Sequence, residues 1–274
     1  APGVLYLAYR GSVSSEFRKS VETRPVNLVA YWPMDEGDGT VTQDALGRFT
    51  GSLVAGATWT TGRFGSGLSF NGTDGHVTTQ ATGELLGIDG KNPRTISFWA
   101  KASNNNPMSQ PGFYGYGDTN CPNGLNKYWG IRNIKDGGYT QLLSQHWCWD
   151  PRSNHGTDIR IDWVHFAHIY NGSDVSVSIN GDLVSNWTRS QISTGNGQAF
   201  QFGRWRNDTN AYYGGEMDDM RVYDDALSEN EVQKIFQGED LKEELVHLQF
   251  SIDATQSPTS YGVSFIPNGL TIDP

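Results

Sequence analysis

The sequence predicts an all-β fold, a two-sheet antiparallel β-sandwich with one short helix towards its C-terminal side. Three observations predict it. Apolar and polar residues alternate with period two over many short runs, as in strands with one face in a core. Turn dipeptides such as Asn71-Gly72, Asp74-Gly75 and Asn180-Gly181 separate those runs, and glycine supplies 33 of 274 residues while charge is sparse. Helical periodicity occurs once. There Ser228-Glu229-Asn230-Glu231 forms a capping box, Val232, Ile235 and Phe236 share a face, and Gly238 is the stop.

In chain order, residues 1–25 hold one apolar run, Val4–Tyr9, then a polar stretch, and read as an outer strand plus a linker. Leu28, Ala30, Trp32 and Met34 alternate with Val29, Tyr31 and Pro33 in the first strand of the sandwich. It ends at Asp35-Glu36-Gly37-Asp38-Gly39, whose three carboxylates make either a solvated turn or a cation site. Short strands are expected around Gly51, Trp59 and Phe70, and Thr95–Lys101 is another. Between Asn104 and Asp158 the chain is polar and unusually aromatic, with strands expected at Gly112–Tyr116, Tyr128–Arg132 and Tyr139–His146. Ile161–Tyr170 follows, then a hairpin at Asn180-Gly181, the return strand Leu183–Trp187, and Ala199–Arg204. In Met217–Tyr223, Met220 and Val222 alternate with Asp219 and Arg221, and strict alternation puts Asp218 on their apolar face. A carboxylate there needs a cation, a metal or several N–H donors. The charged run Glu239–Glu244 marks a boundary before strands at Leu245–Ile252 and Tyr261–Ile266, which with residues 4–9 form a small extra sheet or complete an outer edge. The expected organisation is an extension over 1–25, a sandwich over 26–238, and C-terminal strands over 239–274 packed on the same domain.

Five stretches, Leu28–Gly39, Phe64–Val77, Thr95–Lys101, Trp163–Gly181 and Gly214–Phe236, together resemble the LamG-like branch of the concanavalin A-like lectin/glucanase superfamily. The resemblance implies a jelly roll whose first and last core strands share a calcium ion. Carried over by position, that ion selects Asp35, Thr73, Asp74 and Asp218, with Glu36 and Asp219 as alternates; the other reading is that these acids cap turns. The spacing excludes an EF-hand loop. Some hydrolases of the superfamily carry a Glu-x-Asp-x-Glu strand. Glu216 and Asp218 match its first two acids, but Met220 stands at the third, which argues against paired-carboxylate hydrolysis. A lyase would draw on Gln145 and His146 with Tyr139 and Arg132, although the usual lyase motifs are missing.

The formal charge of −10 with no basic stripe excludes a nucleic-acid backbone as partner. No run approaches a spanning helix, so no membrane insertion is expected. Cys121 and Cys148 in polar surroundings point to one disulfide, or to two separate thiols. A disulfide would fit a secreted or extracellular protein, and the start at Ala1-Pro2, with no Met and no charged-then-apolar leader, fits either a processed secreted protein or a trimmed chain. Four N-x-Ser/Thr sequons, at Asn71, Asn171, Asn186 and Asn207, are about as many as chance gives. A sugar site needs aromatic platforms beside planar donors and acceptors. Tyr114 with Tyr116 and Trp147 with Trp149 each share a face if extended, near Arg132, Gln145, His146 and Arg152; Tyr128, Trp129 and Trp163 read as core. The expected function is a calcium-stabilised carbohydrate-binding or adhesion module whose partner is a glycan or polysaccharide. The alternatives are a polysaccharide lyase or glycoside hydrolase on the same face, or a structural domain whose terminal strands pair with protein neighbours.

Overall fold

A computed structural model of the chain describes residues 4–8, 17–25, 27–104, 110–118, 127–134, 141–145, 151–188, 192–205, 212–239, 241–250 and 262–266. The first strands are β1 (Val4–Ala8), β2 (Phe17–Pro25), β3 (Leu28–Trp32), β4 (Val41–Gln43), β5 (Thr50–Val54), β6 (Ala57–Thr61), β7 (Ser66–Asn71) and β8 (His76–Thr78). The middle of the chain forms β9 (Arg94–Ala102), β10 (Gly112–Gly117), β11 (Tyr128–Ile134), β12 (Gln141–Gln145), β13 (Arg152–Asn154), β14 (Val164–Tyr170) and β15 (Asp174–Ile179). Then come β16 (Asp182–Thr188), β17 (Gln198–Phe202), β18 (Gly214–Tyr223), the helix α1 (Glu229–Phe236), β19 (Lys242–Phe250) and β20 (Gly262–Ile266).

Two antiparallel eight-stranded sheets make the sandwich. One runs β13-β12-β11-β10-β17-β8-β5-β4; the other runs β16-β15-β14-β9-β18-β7-β6, with β3 also paired to β18. Their inner faces meet in one core that includes Trp32, Phe98, Tyr114, Trp129, Phe166, Phe200 and Met220. The helix covers the outer face of the second sheet, where Val232 and Ile235 pack on Ala167, Ile169 and Tyr223, and Phe236 stacks on Trp99 at 5.7 Å. Its capping box is formed as expected, with the Ser228 side chain accepting from the Glu231 N–H. The hairpin at Asn180-Gly181 also forms, and both residues take positive φ, as a two-residue primed turn requires.

By contacts, Pro25–Leu241 form one compact unit, and residues 1–24 with 242–274 another. In the terminal unit β1 pairs with β20 and β2 with β19. The stretch read as a linker therefore contains β2. Its partner lies more than 200 residues away, and no local turn chemistry announces such a pairing.

A second difference lies in β18. The register against β9 shifts between Asp218 and Arg221, where Asp219 sits at φ 56°. This bulge inserts one residue and reverses the face of everything before it. Met217, Met220 and Val222 all enter the core, while Asp218 turns to the outer face, opposite Trp99. Asp218 thus does not share the face of Met220 and Val222, contrary to strict alternation. It is nonetheless fully buried, beneath the turn that precedes β7.

Candidate functional site

The outer face of the first sheet carries one unbroken row of residues across six strands. Ser52 pairs with Thr78, Thr78 with Gln201, Gln201 with Gly115, Gly115 with Gly130, and Gly130 with Gln145. The row starts in a groove of about 420 Å³ lined by Thr50, Ser52, Thr78, Thr79 and Gln80. The two glycines leave room for the Tyr128 ring and the Trp205 carbonyl, and the Trp205 side chain lies against Gly112; Tyr128 and Trp205 form an aromatic cluster separate from the main core. Tyr128 and Trp205 meet edge to face at 5.5 Å, and Gln198 Nε2 donates to the Tyr128 hydroxyl at 3.0 Å. The Arg132 guanidinium lies 4.3 Å from the Trp205 ring centroid, a cation–π arrangement. Arg204 Nε donates to Gln201 Oε1 at 2.8 Å, which leaves Gln201 Nε2 buried without a partner. On the next row Arg132 stands opposite Leu143, and Leu143 opposite Arg152. The face therefore gathers three guanidinium groups and the hydroxyls of Ser52 and Thr78 over a buried layer of two amides and an edge-to-face ring pair. Among the described residues of these rows there is no carboxylate.

Of the residues expected to hold a saccharide, Arg132 and Arg152 lie on this face, and Gln145 sits at its far end, its side chain not being described. His146, Trp147 and Trp149, with Cys121 and Cys148 and their expected disulfide, lie outside the described residues, as does Tyr139. Tyr114 and Tyr116 are a correction. Both are fully buried, because a register shift after Gly112 turns them inward and interior partners satisfy their hydroxyls. The Tyr114 hydroxyl shares a hydrogen bond with His168 Nδ1 at 2.7 Å and accepts one from Trp129 Nε1. The Tyr116 hydroxyl accepts from Arg94 and donates to the Ile88 carbonyl. Satisfied in this way, both belong to the core. Tyr128 and Trp129 are buried as expected, but only Trp129 joins the main core. Arg204 was among the arginines whose positions allow one basic face, whereas Trp205 and Gln201 were not foreseen, and the one available signal was the alternation Ala199, Gln201, Gly203.

The residues assigned to a calcium ion fall into two separated pairs. At one end of β7, Asp35 Oδ1 accepts from the Ser66 N–H at 3.1 Å and Asp218 Oδ2 from the Phe64 N–H at 2.9 Å. At the other end, Asp74 Oδ1 accepts from Asn71 Nδ2, and the Thr73 N–H is held by Asn71 Oδ1. The strand between them spans roughly 16 Å, too far for one ion. The alternates are engaged elsewhere, Glu36 by the Gln43 N–H and Asp219 by Arg221. Among the described residues, no group of three or more His, Cys, Asp or Glu side chains could hold a metal ion. The donor set does not fit the shared ion.

Asp218 Oδ1 is buried without a partner, and burial pushes this carboxyl up to about 7, with the Asp219 charge adding to it. Between about pH 4 and pH 7 the folded state keeps a proton that the unfolded state releases, so this group makes stability fall as pH rises. Burial acts oppositely on His165, lowered to about 3, and His155, lowered to about 4, which destabilise the fold as pH falls below about 6.5. Asp218→Asn separates these effects. Thermal melts should show a gain on the order of 2–4 kcal/mol at pH 8 and almost none at pH 4, whereas an unchanged Tm at pH 8 would show the ionised carboxylate to be compensated.

A family model of laminin G type, described as the concanavalin A-like lectin/glucanases superfamily, matches residues 71–233, more than half of the chain. Among curated proteins, none matches the chain by sequence. Domain 4 of AbnA, a GH43 extracellular arabinanase from Geobacillus stearothermophilus solved with arabinotriose, superposes with a TM-score of 0.59 at 21% identity, covering 78% of this chain and 100% of that one. Trypanosoma rangeli sialidase in complex with sialic acid gives 0.60 at 17% identity, over 77% of this chain and 32% of that one. The binding domain of Paraclostridial Mosquitocidal Protein 1 gives 0.57 at 18%, over 77% and 52%. The chain therefore spans about a third of the sialidase and about half of the mosquitocidal chain, and at such identities the likeness shows the fold. Sandwich, helix and family model agree, and the chain belongs to the concanavalin A-like lectin/glucanase superfamily.

Proposed function

We propose that the chain is an extracellular carbohydrate-binding module that takes a carboxylate-bearing saccharide on the outer face of the β4–β13 sheet. The observation that carries this reading is the face itself, on which Arg132, Arg152 and Arg204 stand with Gln201 and no described carboxylate, in a chain of net charge −10. Guanidinium groups grip carboxylates in a planar fork, the hydroxyls of Thr50, Ser52, Thr78 and Thr79 can bind sugar hydroxyls, and the groove they line has the volume of a small ligand site. The arabinotriose complex of the Geobacillus domain, whose whole length this chain covers, supports a saccharide on this fold, and the extracellular nature of that arabinanase supports the same location here. The reading is binding rather than hydrolysis, because the face has no described pair of carboxylates to act as acid and base.

The test is a glycan array of acidic and neutral oligosaccharides followed by titration calorimetry. Uronate or sialate ligands should bind, and raised salt should weaken them. Arg132→Ala combined with Arg152→Ala should weaken binding by about tenfold or more. Neither new reducing ends nor unsaturated uronate should appear on prolonged incubation. Turnover of any acidic polysaccharide would replace this reading with a catalytic one.

A further inference from the structure

The second sheet carries another cleft on its outer face, of about 570 Å³, at the start of β18. Register builds it. Glu216 lies between Ser69 of β7 and Lys101 of β9, so the three form one outward row. Two residues earlier on the same face, Gly214 lies opposite Asn71 and its carbonyl accepts the Ser103 N–H at 2.9 Å. A glycine flanked by two polar residues leaves a hollow beside the Ser69–Glu216–Lys101 row. Arg160 and Ile161 supply a wall. Ile161 is 79% exposed, and Arg160 is held in a two-point pair by Asp158, at 2.8 Å from Nε and 2.5 Å from NH2.

We propose that this cleft is a second saccharide subsite, selective for neutral sugars. Lys101 and Glu216 are partly exposed and stand directly opposite each other, yet neither side chain has a hydrogen bond or ion pair with another described residue. An ammonium and a carboxylate held side by side without closing on each other favour a group that accepts from one and donates to the other, which is what a hydroxyl does. An anionic ligand would meet Glu216 and a cationic one Lys101, and Asp158 already compensates the charge of Arg160. A neutral polyol avoids both penalties. The bare Ile161 side chain offers the apolar contact that a sugar ring face needs. The cleft binds without hydrolysing, since the next acid on the strand, Asp218, is fully buried under the 62–66 turn and leaves Glu216 without a second carboxylate. The inference rests on reading the chain as a saccharide binder, but not on where the acidic sugar sits.

Titration calorimetry with two sets of probes tests it: digalacturonate as the acidic sugar, and arabinotriose, xylotriose, cellotriose and mannotriose as neutral ones. At least one neutral trisaccharide should bind once per chain. Lys101→Met, Glu216→Gln and Ile161→Ala alter partly or fully exposed side chains, so the fold should persist, and each should weaken neutral binding by about tenfold while leaving digalacturonate binding unchanged. Arg132→Ala should do the reverse. Absence of neutral binding, or neutral binding indifferent to all three cleft variants, overturns the subsite and leaves the acidic face standing. Loss of digalacturonate binding alone overturns the acidic face and leaves the cleft.

Discussion

Gly115→Ala is expected to weaken binding of the acidic saccharide by about tenfold or more and to lower stability by about 1–3 kcal/mol. A Cβ at this position would lie 1.9 Å from the Tyr128 hydroxyl and 2.1 Å from the Trp205 carbonyl oxygen, distances that no carbon tolerates. Relief by rotating Tyr128 is blocked, because the ring is fully buried and its hydroxyl is held by Gln198. Relief on the other side requires the Trp205 backbone to move, and with it the ring on which Arg132 lies. The clash therefore reaches the saccharide face through two of its rings. Gly51→Ala is the control. Its Cβ would meet Thr42 and Val77 side-chain atoms at 2.8 Å, on the core side of the same sheet, so it should cost comparable stability and leave affinity in place. Calorimetry on both, with thermal melts, separates loss of the face from general loosening. Equal affinity losses in the two would remove the special status of the face.

The fold was legible because its signals are local. Alternation at Thr95–Lys101 and Val175–Ile179, the Asn180-Gly181 turn and the Ser228 capping box each depend on a few neighbouring residues, and all appear where the spacing places them. Two kinds of feature were not legible. The pairing of β2 with β19 depends on a partner at the far end of the chain. The bulge at Asp219 leaves no compositional mark, yet it moves Asp218 from the inner face to the outer and so changes what that carboxylate must satisfy.

The site was legible only in part, for a related reason. Arg132 and Arg152 were identified from an aromatic, polar stretch, and they do share a face. Tyr114 and Tyr116 came from the same stretch and the same period of two, but composition cannot say which side of a sheet is the core. Gln201 joins the face through strand pairing with Gly115, more than 80 residues earlier in the chain, and Arg204 through its hydrogen bond to Gln201. A cross-sheet row is a property of register, and register follows from the whole topology rather than from any one segment.

The largest stability effect should come from Arg221. Its guanidinium pairs with Asp219 at 3.1 Å from Nε and 3.2 Å from NH2, and it lies 4.6 Å from the Tyr31 ring centroid. The pair is 9% and 6% exposed in its side chains, so water screens it little. Arg221→Ala strands a buried carboxylate, and chemical denaturation should show a loss of about 3–5 kcal/mol. Arg221→Met combined with Asp219→Asn should recover most of that loss, because methionine fills similar volume, asparagine removes the charge, and asparagine tolerates the φ of 56° that the bulge imposes. Arg221→Met with Asp219→Val should not recover it, since a β-branched residue is strained at positive φ. If both double variants were equally stable, the backbone at residue 219 would not be fixed by the bulge. If Arg221→Ala cost under about 1 kcal/mol, the pair would behave as a surface salt bridge, and the close packing of the β3–β18 edge would have to rest on Tyr31 and its apolar neighbours instead.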